Sequence, residues 1–157
     1  MKTPESVEVS VSELSSHIGF WLRFVSNHVS HAFGRTLLES GVTAAEWVIL
    51  RQMYDREEMS PSALAELTGL TRGAVSKLMD RLLAKKLVTR LGRADDRRFQ
   101  SVSLTPAGHR LVPALALIAD KNDAAFFGSL SKSERDSLLK VLKKLVKVNN
   151  LHQVPTQ

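Results

Sequence analysis

The chain has no cysteine among its 157 residues, which excludes disulfide staples, thiolate nucleophiles, cysteine-held metal sites and thiol-based redox sensing. It has no apolar run near the roughly 20 residues needed to cross a bilayer. Met1 to Ser10 offers no apolar core of the kind an export signal needs, so a cytoplasmic protein without a membrane partner is the expectation. No phosphate-cradling glycine loop and no nucleophile–base arrangement is present, which argues against an enzyme. The five histidines (His17, His28, His31, His109, His152) are scattered. His28 and His31 lie three apart on one helix, but two ligands without a third make a poor metal site, so neither metal nor cofactor is expected. An apolar share of 43% and a charged share of 24% suit one compact domain with a full core.

What is present is a cationic block. From Arg72 to Arg98 there are nine basic side chains (Arg72, Lys77, Arg81, Lys85, Lys86, Arg90, Arg93, Arg97, Arg98) against three acidic ones (Asp80, Asp95, Asp96), and the rest of the chain balances at thirteen of each. The net charge of +6 therefore sits in one segment. That is the electrostatic footprint of a polyanion partner. A merely solvated basic surface is the competing reading, and the order of elements around the block shifts the balance away from it.

Ser10 and Glu13 have capping-box spacing, and Leu14, Ile18, Trp21, Leu22, Val25 and Val29 form a helical stripe that predicts a first helix to about Phe33. Gly34 and Gly41 bracket a connecting piece. Thr43 and Glu46 repeat the capping box ahead of a helix whose apolar face is Trp47, Val48, Leu50 and Met53. Ser60-Pro61 pairs a hydroxyl cap with proline at the first helical position, and Gly69 ends the two-turn helix they open. Thr71 caps the next helix, with Val75, Leu78, Met79 and Leu82 as its inward face. Two short helices joined around a glycine make a helix-turn-helix. Leu87–Leu91 and Ser101–Leu104 read as strands around a polar turn, so a charged hairpin, a wing, follows directly. Thr105-Pro106 opens a long helix to about Phe127, which Pro113 is predicted to kink at a cost of about 3 kcal/mol. Ser131 and Glu134 open a last helix carrying Leu138, Leu142, Leu145 and Val148 at helical spacing, and the residues from Asn149 on are expected to fray.

The stretch from Ser60 to Thr105 resembles the MarR (multiple antibiotic resistance regulator) family of winged helix-turn-helix transcription regulators. The residues that carry the likeness are Leu64-Ala65-Glu66-Leu67-Thr68-Gly69-Leu70-Thr71-Arg72, Val75-Ser76-Lys77-Leu78-Met79-Asp80-Arg81-Leu82, Lys85-Lys86-Leu87-Val88-Thr89-Arg90, Asp95-Asp96-Arg97-Arg98 and Val102-Ser103-Leu104-Thr105-Pro106-Ala107-Gly108. Gly73 stands where the family often has a hydroxyl residue, and the wing tip has few glycines or prolines. The fold class implied is mainly α with a small β-hairpin wing (α+β). Residues 1–33 form a tail and dimerisation helix, 34–105 the winged DNA-binding region, and 106–157 the C-terminal dimerisation helices, all in one intertwined structure. The resemblance also implies a homodimer on a palindromic double-stranded operator. Repression is the usual mode, relieved by a small aromatic or phenolic acid in the crevice between dimerisation helices and winged domain. His17, Trp21, Trp47 and Arg51 are the candidates to line that crevice, each of them equally at home as packing or surface.

In chemical terms, Thr71, Arg72, Gly73, Ser76 and Lys77 form an exposed first turn suited to a major groove, where the helix dipole favours phosphate and Arg or Lys donates to guanine edges. Arg81, Arg90 and Arg93 extend the expected DNA-facing set. Lys85, Lys86 and Arg90 fit backbone-phosphate contacts or plain solubility. At the wing, the family pattern uses Asp96 and Arg98. Either Arg98 enters the minor groove, or Asp96 pairs with Arg98 to shape the turn while Arg97 reaches DNA. The rival functions are a winged-helix module that binds protein without reading DNA, and a MarR-type regulator with no ligand.

Overall fold

The computed structural model describes residues 10–92 and 101–152. A short 3-10 turn, Leu14–Ser16, precedes α1 (Ile18–Glu39), α2 (Ala44–Tyr54), α3 (Pro61–Thr68) and α4 (Arg72–Ala84). Strands β1 (Val88–Leu91) and β2 (Ser101–Leu104) then pair antiparallel, from Val88 opposite Leu104 to Leu91 opposite Ser101. Two helices, α5 (Pro106–Phe127) and α6 (Lys132–Val148), complete the chain. Met59, between α2 and α3, adds a third short edge by exchanging both backbone hydrogen bonds with Val102, at 2.9 and 2.8 Å. Fold class and the second wing strand agree with the sequence reading, and the first strand lies within its expected range.

Hydroxyl caps start five of the six α-helices. Thr43, Ser60, Thr71, Thr105 and Ser131 each accept the backbone N–H three residues on, and Glu46 and Glu134 complete reciprocal boxes. Each such cap contributes about 1 kcal/mol of helix stability. Gly69 closes α3 in the left-handed region at φ 69°, a conformation that side chains disfavour.

The core lies in the winged unit. Ile49, Leu50 and Met53 of α2, Leu64 of α3, the four inward residues of α4, Val88 of β1, and Val102 and Leu104 of β2 are buried together. Leu37 of α1 and Val112 and Leu115 of α5 join them from the helix ends nearest the wing. Beyond those ends the long helices are bare. No residue of α6 is buried, and Ile18, Trp21, Leu117 and Leu139 stand 82%, 50%, 53% and 53% exposed.

Several expectations are corrected. The Ser10–Glu13 capping box does not form. Glu13 offers its carbonyl to Ser16 and closes the 3-10 turn, and α1 starts at Ile18, with His17 as an N-cap that makes no side-chain cap hydrogen bond. The first helix does not stop near Phe33: it runs through Gly34 to Glu39, with Ser40 as its C-cap and Gly41 in the left-handed region. A mid-helix glycine costs only about 1 kcal/mol, which burial of Leu37 more than offsets. On α2 the buried face is Ile49, Leu50 and Met53, so Val48 points outward and Trp47 is half-buried. The first strand begins at Val88, because Lys86 takes a left-handed conformation at φ 58° just before it. Apart from these corrections, α5 is continuous through Pro113, which sits on an exposed side of the helix.

Gly108, in the first turn of α5, is required for close approach. A Cβ there would meet the Leu87 carbonyl oxygen at 2.2 Å, a backbone atom that cannot swing aside. Gly108→Ala is therefore expected to cost about 1–3 kcal/mol through overpacking. A thermal melt at fixed protein concentration checks this, and an unchanged midpoint contradicts the packing described.

Candidate nucleic-acid interface

Helix α4 has two unlike sides. Val75, Leu78, Met79 and Leu82 bury one of them, while Thr71, Arg72, Gly73, Ser76, Lys77, Asp80 and Arg81 are exposed. The Thr71 hydroxyl accepts the Ala74 amide at 3.2 Å and holds the first turn open. The positive end of the helix dipole and the Arg72 cation therefore face the same solvent. Nothing lies within 4 Å of where a Gly73 Cβ would stand, so the backbone there is open to a close-approaching partner. His152, just beyond α6, shares with Ser62, Glu66, Thr71 and Arg72 a cavity of about 560 Å³ at the α3–α4 corner.

Not every basic side chain of the block is free. The Arg90 guanidinium on β1 donates to Asp80 at 3.0 Å, with both partners exposed, and so lies against the outer side of α4. Arg81 is exposed on the last turns of the helix. The wing residues Arg93, Asp96, Arg97 and Arg98 lie outside the described residues, so the structure brings together Thr71, Arg72, Gly73, Ser76 and Lys77 and leaves the choice between wing arginines where it stood.

Lys85 is corrected. Its ammonium does not face outward for phosphate: it donates to the Gly41 carbonyl at 2.8 Å and to Glu46 Oε2 at 2.6 Å. Glu46 is wholly buried. Burial pushes its carboxyl up, but the Lys85 hydrogen bond, the Thr43 amide and the Lys85 charge together outweigh that and hold it below the ordinary glutamate range. Oε1 has no hydrogen-bond partner, so the pair carries its own desolvation cost. The sequence signalled Glu46 only as a capping residue, and a box says nothing about which distant cation reaches its second function.

The four candidate effector contacts are separately engaged. His17 Nδ1 lies 3.0 Å from the Glu13 carbonyl oxygen, and the Trp21 indole N–H donates to Ser15 at 2.8 Å. Trp47 packs against the core. Arg51 pairs with Asp55 at 2.7 Å and lies over the Tyr54 ring, 5.9 Å from its centroid. None of the four lines the α3–α4 cavity or the crevice of about 570 Å³ between α5 and α6, which is walled by Phe127, Leu138, Leu139 and Leu142. Among the described residues no group of acidic and histidine side chains is placed to hold a metal ion.

Comparison with known proteins gives a consistent picture. The model of the MarR family matches residues 40–98. A putative transcriptional regulatory protein for the hcr operon of Thauera aromatica is 28% identical over 139 residues, covering 88% of this chain and 84% of the relative. The HTH-type transcriptional repressor NicR of Pseudomonas putida is 25% identical over 146 residues, with 92% of each chain covered. Among solved structures, Bordetella bronchiseptica BpsR, described through the regulation of its DNA binding by 6-hydroxynicotinic acid, superposes with a TM-score of 0.77 at 29% identity, covering 87% of this chain and 97% of that one.

The Lys85–Glu46 pair makes a pH-dependent forecast. Because the folded carboxyl titrates below its unfolded value, its stabilisation is complete above the ordinary glutamate pKa of about 4.3 and is lost as pH falls through the lower folded value. Lys85→Met removes the compensation and keeps the burial, so the acid limb of the stability profile should move to higher pH. The loss at neutral pH is expected at about 2–3 kcal/mol, below the usual figure for a broken buried pair because the Lys85 side chain is 37% exposed. Denaturant melts from pH 3 to 8 measure both effects, and superimposable wild-type and variant profiles contradict the assignment.

Proposed function

We propose that this chain, whose residues 40–98 match the model of the MarR family, is a dimeric, sequence-specific regulator of transcription that reads double-stranded DNA with α4 and the wing. The observation that carries this reading is the bare, basic, hydroxyl-capped first turn of α4 on a helix whose opposite side is locked into the core. Arg72, Ser76 and Lys77 touch base edges or adjacent phosphates from the major groove. Thr71 and the amides behind Gly73 receive a phosphate. Arg81, Arg90 and Arg93 face the flanking backbone, with Arg90 exchanging Asp80 for phosphate. At the wing, Asp96 with Arg97 or Arg98 serves the neighbouring minor groove.

The second copy follows from the apolar surface that one chain leaves uncovered. The N-terminal half of α1, the C-terminal half of α5 and the whole of α6 carry Trp21, Leu22, Phe24, Phe126, Leu138 and Leu139 into solvent. Large contiguous apolar faces mark interaction sites, and a two-fold partner made of the same helices covers them reciprocally. On this reading α1, α5 and α6 form the dimer body and α2 to β2 the reading head. Among the described residues no helix is long and apolar enough to cross a membrane, and contact with DNA places the protein in the cytoplasm. It carries out no catalytic step.

Repression relieved by a small aromatic acid is the mode we assign, by analogy with the named repressor and the hydroxynicotinate-regulated relative. His17, Trp21, Trp47 and Arg51 remain the proposed walls, offering indole faces and a guanidinium that exchanges Asp55 for a carboxylate. A thermal-shift series with benzoate- and pyridine-type acids is expected to raise the melting point, and no shift with any of them favours a regulator without a ligand. Arg72→Ala is expected to weaken specific binding by about 1–3 kcal/mol in a fluorescence-anisotropy titration, with the steep salt dependence typical of phosphate contacts. Unchanged affinity sinks the role given to Arg72.

A further inference from the structure

The two ends of α4 are held very differently. At its start, Arg72 and Gly73 meet open solvent. At its finish, three consecutive residues are tied to other elements. Lys85 donates to Gly41 at 2.8 Å and to Glu46 at 2.6 Å, so it reaches the corner between α1 and α2. Lys86, left-handed at φ 58°, offers its carbonyl to the Thr105 hydroxyl at 2.8 Å. The Leu87 carbonyl accepts the Thr105 amide at 3.0 Å and abuts Gly108. The exit of α4 is thus the point where the recognition helix meets α1 through its corner and α5 through its first turn, the two helices that lead to the dimer body.

Of these ties, one is ionic and directional in a way that apolar packing is not. The Glu46 carboxylate is wholly buried and pinned by the Thr43 amide at 2.8 Å, so it is a fixed anchor. Lys85 sits on the C-cap of α4 itself, so the pair ties the exit of that helix to the anchor. The four buried side chains of the helix hold it by non-directional contact, which resists pulling away more than rocking. With 13 residues, at a rise of about 1.5 Å each, α4 is roughly 20 Å long, so a tilt of about 10° at its exit carries its first turn roughly 3 Å. That is the size of one base-pair step, about 3.4 Å.

We propose that the Lys85–Glu46 ion pair is a positioning pair that sets the distance between the two recognition helices of the dimer, and so selects the spacing of the operator half-sites. This rests on the DNA-reading function above. Neither residue touches DNA: Lys85 acts through the angle of α4, and Glu46 acts through Lys85.

The test uses the full-length protein and the inverted-repeat duplex recovered by selection from a random pool. Anisotropy titrations compare that duplex, duplexes with one base pair added or removed between half-sites, and a single half-site. The proteins are wild type, Lys85→Met, Glu46→Gln and Lys85→Arg. Wild type is expected to prefer the selected spacing by at least about tenfold, the order of one mismatched base pair. Lys85→Met and Glu46→Gln are expected to flatten that preference while keeping single-half-site affinity, and Lys85→Arg to restore it. Because Glu46→Gln keeps the volume and can still accept from Thr43, it remains informative if Lys85→Met is poorly folded. A variant that melts earlier yet keeps the full spacing preference overturns the positioning role and leaves the DNA-reading function intact. Wild type that binds no duplex overturns both.

Discussion

Burial of Val75, Leu78, Met79 and Leu82 against α2, α3 and the wing strands determines which way α4 faces. Once those four positions are inward, the helical repeat leaves Arg72, Gly73, Ser76 and Lys77 outward. The Thr71 cap then stops the chain from closing over the first turn. The result is an exposed, cationic helix start on a helix whose opposite side is locked into the core. Rotating the helix by one residue would put Ser76 or Lys77 into the core, where an unpaired polar or charged group is costly.

A second constraint acts at the other end of the molecule. A chain of this length can bury a core of its own, and it does so in the winged unit. The long helices beyond it carry apolar side chains that a single chain leaves exposed. Asn122 reaches the Val29 carbonyl at 3.4 Å, which ties α5 to α1, but α6 buries nothing. On the proposed function the winged unit is a finished reading head and the long helices an unfinished body that a second copy completes. Joining two such bodies would orient two heads, and the junction at Lys85, Lys86 and Leu87 would then matter as much as the contacts made with DNA.

Much of this was legible in the sequence because the signals are local. Hydroxyl caps at Thr43, Ser60, Thr71, Thr105 and Ser131, glycine at the α3 exit, and the inward face of α4 all act within one helical turn. The failures are equally instructive. Ser10 and Glu13 have the right spacing for a box, yet the chain closes a 3-10 turn there, because spacing alone does not fix backbone conformation. Gly34 looked like a break and is not, since burial of Leu37 in the shared core overrides a propensity of about 1 kcal/mol. The partner of Glu46 was invisible: Lys85 is 39 residues away, and in a run of basic side chains nothing marks the one that turns inward.

The proposed function requires two α4 helices, related by a two-fold axis, to meet successive grooves of one duplex. Selection of bound sequences from a random duplex pool by the purified protein tests this most directly. The enriched set should converge on an inverted repeat with half-site centres about 10 base pairs apart. Recovery of no enriched sequence, or of a single asymmetric site, would contradict it.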